Sequence, residues 1–191
     1  CAQYLGDLGA DVIKVVPVKG GDDTRLWAPQ KDGQSSTFLA FNRNKRSLAI
    51  DLKTDDGRAI LHKLVKSADV MIQGFKGGTA QKLGTDYETL KGLNERLIFC
   101  EISGYGNEGP LAGQPGYDVM LQAFGGIIKS MGTKDGPHVR VSFSPVDLGT
   151  GMMGVSAILA ALMERDKTGK GSHIELTLLD TAMSLMAYLA Q

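Results

Sequence analysis

The stretch Pro145-Val146-Asp147-Leu148-Gly149-Thr150-Gly151-Met152-Met153-Gly154 decides what kind of α/β protein this is. Gly149, Gly151 and Gly154 spell a literal G-x-G-x-x-G, the dinucleotide fingerprint. That motif works when its first glycine follows a strand directly, so that the phosphates meet the N-terminus of the next helix. Here the nearest strand candidate, Val139–Phe143, is separated from Gly149 by Ser144-Pro145-Val146-Asp147-Leu148. Leu148, Met152, Val155, Leu159 and Leu162 then recur at spacings of three and four, which predicts one long helix from Pro145 to about Lys167. Glycines inside such a helix more often serve close packing than phosphate binding, which leaves a dinucleotide site as the lesser alternative.

Outward from this stretch, helices and strands alternate. Downstream, Lys167-Thr168-Gly169-Lys170-Gly171 is a turn, His173–Leu178 a strand and Leu179–Leu189 a helix. Upstream, Asp118–Phe124 reads as a helix, and Gly104–Gly116, with five glycines and two prolines, as a loop. Arg96–Ser103 is a buried-strand candidate. Thr85-Asp86-Tyr87-Glu88 has the capping-box pattern and opens a short helix. Gln73–Gly78 is a loop after the short strand Ala68–Ile72. Thr54 caps a helix running to about Ser67, with Asp55 and Asp56 near its positive end. Ser47–Leu52 and Asp11–Val16 are strands, a loop occupies Pro17 to about Gly33, and residues 1–9 are a helix tail stopped at Gly9. This alternation predicts an α/β fold: an open, Rossmann-like, mostly parallel sheet with helices on both faces.

The bulk properties exclude several classes. A chain of 191 residues that is 42% hydrophobic and 22% charged can build a core and is not disordered. Lys+Arg and Asp+Glu are 21 each, so no basic field draws nucleic acid. Aromatics are 6% and lack basic interleaving, which points the same way. No uninterrupted run reaches the ~18 apolar residues of a membrane span, so no membrane partner is expected. Cys1 and Cys100 form no disulfide framework, and Cys100, in Leu97-Ile98-Phe99-Cys100, reads as an inert buried thiol; a cytoplasmic location follows. The chain opens Cys-Ala-Gln-Tyr-Leu-Gly inside a helix and stops at Ala190-Gln191 inside an apolar helical pattern, so it reads as a fragment of a longer protein.

Few residues carry chemistry. Asp147 lies near a helix start, where an acid serves either as a cap and dipole partner or as an ionised nucleophile toward a thioester. Lys53, Lys76 and Lys82 are solvated surface charges or contacts to an anionic ligand at the ligand-binding side of an open sheet. Phe75, between glycines, is an adenine-stacking ring or a local core anchor. His62, His138 and His173 have structural or surface roles, and their spacing gives no metal site.

The whole chain resembles the class III CoA-transferases, the family of formyl-CoA transferase and carnitine CoA-transferase that also contains α-methylacyl-CoA racemase. The marks are Leu8-Gly9-Ala10-Asp11-Val12-Ile13-Lys14-Val15, Asp23-Thr24-Arg25, Asn42-Arg43-Asn44-Lys45-Arg46-Ser47 and Asp51-Leu52-Lys53-Thr54. Ala68-Asp69-Val70, Pro115-Gly116-Tyr117-Asp118 and Lys167-Thr168-Gly169-Lys170-Gly171 complete the set. The resemblance implies that residues 1–191 are the N-terminal portion of a large CoA-binding domain within an interlocked, two-domain homodimer. It makes Asp147 the nucleophile and assigns CoA contacts to Ile50, Lys53, Gly74, Phe75, Lys76 and Lys82. It puts Tyr117 near the acyl pocket. Coenzyme A or acyl-CoA and a carboxylic acid are then the substrates, with no tightly bound cofactor and no metal. The family's Asn-Phe-x-Pro-Gly loop is here Gly74-Phe75-Lys76-Gly77-Gly78, which leaves Gly74 only backbone contacts.

Two rivals make different demands. A 2-methylacyl-CoA racemase of the same family needs an acid/base pair and a His where this chain has Tyr117. A nicotinamide-dependent oxidoreductase needs a strand ending at Gly149, and a helix through the glycines excludes it.

Overall fold

The computed structural model describes residues 1–189, and the Ala190-Gln191 end of the last helical pattern lies outside them. The strands are β1 (Val12–Val16), β2 (Gln30–Lys31), β3 (Gln34–Ser35), β4 (Lys45–Ala49), β5 (Val70–Gln73), β6 (Ile98–Ser103) and β7 (His173–Thr177). The helices are α1 (Ala2–Asp7), α2 (Ser36–Asn42), α3 (Asp55–Val65), α4 (Thr79–Leu83), α5 (Tyr87–Lys91), α6 (Asp118–Phe124), α7 (Ile127–Ser130), α8 (Pro145–Thr168) and α9 (Leu178–Met186).

The parallel strands come in two pieces. β1 pairs with β4, Val12 opposite Lys45 and Val16 opposite Ala49. β5, β6 and β7 form a second parallel sheet in that order. β2 and β3 make a small antiparallel hairpin in the loop after β1. β6 shows why the sheet needs helices on both faces. Its side chains alternate with period two, and both sets are buried. Phe99, with the adjoining Leu97, packs with Leu61 and Val65 of α3; Leu48 of β4 and Val15 of β1 join the same cluster. Ile98 and Cys100 turn the other way, onto Ile158 and Ala161 of α8. Burial pushes the Cys100 thiol up to about 11, so it stays protonated and inert.

Local chemistry explains most boundaries. Thr54 accepts a hydrogen bond from Gly57 N–H and caps α3, with Asp55 and Asp56 in its first turn. Pro145 occupies the first turn of α8, where its missing N–H costs nothing, and Gly169 closes the helix in a left-handed conformation. The three motif glycines lie inside α8. A Cβ on Gly151 would stand 2.9 Å from the Cys1 nitrogen, and one on Gly154 would stand 3.1 Å from Cys1 Sγ. These glycines let the start of α1 pack onto α8, so the dinucleotide reading is excluded.

Other expectations are corrected. Val139–Phe143 is not a strand; the Val141 N–H donates to the Gln122 side chain instead of a neighbouring strand. Asp86, not Thr85, caps α5; Thr85 is buried, and its hydroxyl donates to the Ala80 carbonyl. Ser36–Asn42 and Thr79–Leu83 add helices where the sequence pattern predicts none. The predicted apolar stripe of α8 coincides only in part with its core face: Leu162 packs against the Ile158 cluster, and Leu148 and Val155 are half-buried. Met152 and Leu159 are 51% and 43% exposed, whereas Val146, Thr150, Gly151, Gly154, Ile158 and Ala161 are buried. By length and composition alone α8 is apolar enough to cross a bilayer, which the search for uninterrupted apolar runs misses. Its inner face packs against α1, α6, α9, β6 and β7, the position of a central core helix.

Candidate active site

Because β5, β6 and β7 run parallel, their carboxyl ends lie along one edge, where ligands bind in open α/β sheets. A cleft of about 560 Å³ opens there. Its walls are the Gly74–Gly77 loop after β5, the Gly104–Tyr117 loop after β6, and the start of α8. The loops meet backbone to backbone: a Cβ on Gly104 would lie 2.6 Å from Gly116 Cα, so only glycine permits this floor. At the other wall the buried Gln73 accepts a hydrogen bond from Phe75 N–H at 2.6 Å, which fixes the turn.

Asp147 faces this cleft from the first turn of α8. Ser144, the residue at the cap position, makes no side-chain cap bond. The cap comes from far away in sequence. Asp118 of α6, 7% exposed, accepts from Val146 N–H at 2.8 Å and from Asp147 N–H at 3.0 Å through Oδ2. The helix's free N–H groups are therefore spent on Asp118. Asp147 is exposed to solvent through the cleft and only partly desolvated by the protein around it. That partial desolvation, and then the neighbouring Asp118 charge, push its pKa up to about 6. The expectation that the helix start holds Asp147 ionised is thus corrected in direction: its carboxylate is a stronger base than usual, though ionised above pH 6.

Of the other residues singled out in the sequence, Gly74, Phe75, Lys76 and Tyr117 line the same cleft. Phe75 belongs to none of the three core clusters found among the described residues, which leaves its ring to the cleft. Ile50, Lys53 and Lys82 do not line it. Ile50 is buried in the core with Leu61 and Phe99, so only its backbone remains for a ligand. Lys53 is exposed just before Thr54, and Lys82 is exposed in the last turn of α4, not at a helix start. His62 is structural, bonded to the Gly84 carbonyl, and His173 pairs with Glu101 and stacks on Tyr87. Among the described residues no group of three or more His, Cys, Asp or Glu could hold a metal ion.

Sequence reasoning missed Trp27, Arg140 and Asp118 in the cleft lining. Trp27 and Arg140 sit in irregular segments, where periodicity carries no signal. The hints for Asp118 are its place in the Pro115-Gly116-Tyr117-Asp118 mark and its i,i+4 spacing to Gln122 on a predicted helix.

The family model for CoA-transferase family III matches residues 1–191, and the chain belongs to that family. It is 43% identical over 192 residues to a succinate–glutarate CoA-transferase of Agrobacterium fabrum, a match covering 97% of this chain and 48% of that protein. It is 40% identical over 185 residues to an acetyl-CoA:oxalate CoA-transferase of Acetobacter aceti, covering 96% of this chain and 48% of that protein. A crystal structure of a CAIB/BAIF family protein from Brucella suis superposes with a TM-score of 0.94 at 44% identity, over 99% of this chain and 51% of that one. The chain spans about half the length of the curated relatives it matches.

Proposed function

We propose that the protein is a CoA-transferase that moves CoA from an acyl-CoA donor to a carboxylic acid, with Asp147 as the covalent acyl acceptor. The observation carrying this reading is the partly desolvated Asp147 carboxylate facing a cleft at the strand ends of a family III chain. The Asp147 carboxylate attacks the donor thioester carbonyl, giving a mixed anhydride and CoA thiolate. The thiolate attacks the aspartyl carbonyl, forming an aspartyl-CoA thioester and releasing the donor acid. The acceptor carboxylate attacks that thioester and expels the thiolate, which then attacks the acceptor's carbonyl in the new anhydride. Acceptor-CoA leaves and Asp147 is restored. A raised pKa suits the first step, because basicity increases nucleophilicity while the group remains ionised at neutral pH.

The CoA contacts belong to the same proposal. Lys76 supplies charge and Phe75 a stacking face within the cleft, Gly74 offers only its backbone, and Tyr117 stands by the acyl group. Ile50, Lys53 and Lys82 would meet CoA outside this cleft. Residues 1–191 serve as the N-terminal part of the large CoA-binding domain of a cytoplasmic homodimer. The exposed Met152, Leu159 and Met163 of α8 offer an apolar strip for a second copy. The test is Asp147→Ala in the full-length protein: transfer is lost while CoA still binds, and retained turnover contradicts the reading. Against a racemase, no histidine lines the cleft among the described residues, while Tyr117 does. Solvent deuterium appearing at the substrate α-carbon would favour the racemase.

A further inference from the structure

Two buried side chains of α6 hold the whole approach to Asp147. Gln122 Oε1 accepts from Val141 N–H at 2.9 Å, and its Nε2 donates to Asp118 Oδ1 and reaches the Phe143 carbonyl at 3.5 Å. Asp118 Oδ2 takes the N–H groups of Val146 and Asp147. Both side chains are buried, Gln122 completely. The donors in this chain of bonds converge on Asp118 from both sides. A backbone N–H is an obligate donor, so it fixes the Gln122 oxygen toward Val141 and the amide nitrogen toward Asp118. Asp118 is then an acceptor at every contact, which an ionised carboxylate satisfies and an amide does not.

We infer that Asp118 and Gln122 are positioning residues for the nucleophile: they fix the backbone entry into α8 and hold a buried negative charge behind the reacting carboxylate. The inference rests on Asp147 being the acyl acceptor. A neutral cap would satisfy the same N–H groups. The carboxylate adds repulsion toward Asp147, in the direction of its raised pKa. The other charged groups lining the cleft are Lys76 from the loop after β5, Glu101 from β6, which pairs with His173, and Arg140 before α8.

The polarity of the network gives a decisive exchange. Asp118→Asn sets an NH2 group against either the Gln122 amide or the helix N–H groups. Gln122→Glu sets two carboxylates against each other. The double variant D118N/Q122E reverses the central bond and keeps the backbone bonds: the Asn oxygen caps α8, its NH2 donates to Glu, and the second Glu oxygen accepts from Val141, with only the long reach to the Phe143 carbonyl given up. The charge then stands one link further from Asp147. In the full-length protein, each single variant lowers kcat by roughly tenfold or more, and the double variant recovers most of that loss. The acid limb of kcat/KM, expected near pH 6 in the unaltered enzyme from the raised Asp147 pKa, moves lower in the double variant. Thermal melts of the double variant show whether the restored network folds where a single variant does not. Singles that keep both kcat and the acid limb, or a folded double variant no better than the singles, overturn the inference. Mass spectrometry of the unaltered enzyme with acyl-CoA separates the two levels. An adduct on Asp147 beside a failed exchange removes only the positioning role; absence of the adduct removes the reading beneath it.

Discussion

α3 and α8 start with the same ingredients and use them in opposite ways. Each has a hydroxyl residue at the cap position and at least one acid in the first turn, two in α3 and one in α8. At α3 the cap is local: Thr54 takes the Gly57 N–H, and Asp55 and Asp56 stand exposed beside the positive helix end. At α8 the Ser144 hydroxyl caps nothing, and Asp118 supplies the cap from 29 residues away. The first helix start is built for stability. The second spends its N–H groups on a buried carboxylate and leaves the first-turn acid, Asp147, which is also exposed, partly desolvated beside a like charge. A helix start that does not solvate its own acid marks a site where chemistry, not stability, sets the arrangement.

Asp147→Asn breaks the comparison most severely. Transfer should fall by at least about 10³-fold, as for other removed nucleophiles. Stability should move the other way. The folded pKa lies above the ordinary value of 3.8, so the unfolded chain ionises first and stability falls as pH rises toward about 6. The Asn variant escapes this loss. Its melting temperature should exceed that of the unaltered protein at pH 7 and converge with it below pH 4.

Asp118→Ala comes next. Removing a buried ionised acceptor with three hydrogen bonds should cost about 3 kcal/mol in urea unfolding, with transfer reduced as well. Thr54→Ala, the matching change at α3, should cost about 1 kcal/mol and leave kcat unchanged. A Thr54 variant that impaired kcat as much as the Asp118 variant would erase the distinction between the two helix starts. The smallest effect is expected from Asp56→Asn, about 0.3 kcal/mol at low ionic strength and vanishing in 1 M salt, because that acid interacts with the helix end through solvent.

The same contrast explains what was legible in the sequence. Thr54 and its helix are readable because cap and capped group are three residues apart. The buried strand β6 and helix α6 are readable from short apolar runs between glycine-rich breaks. The ends of α8 are readable from Pro145 and Gly169, but its inner face is not. Apolar residues occur around most of its circumference, so periodicity selects the larger Leu148–Met152–Leu159 side. The packed side interleaves small residues that accept α1 and α9, as Gly149 does against Thr181, with a few large apolar ones such as Ile158. Val139–Phe143 has strand-like residues but pairs with no strand, and the Gln122 side chain accepts its Val141 N–H instead. In the site, Asp147, Tyr117 and Gly74–Lys76 carry sequence marks of their own. Asp118 carries none that shows its partner, because its role is created by the packing of α6 against α8.

The central claim is that Asp147 accepts the acyl group. Its most direct test is mass spectrometry of the full-length protein after brief incubation with a panel of acyl-CoAs, followed by peptide mapping. The account predicts an acyl or CoA adduct on the peptide containing Asp147, with the carboxylate as the modified group, and none in Asp147→Asn. Efficient transfer with no adduct at Asp147, or an adduct that persists in Asp147→Asn, would contradict it.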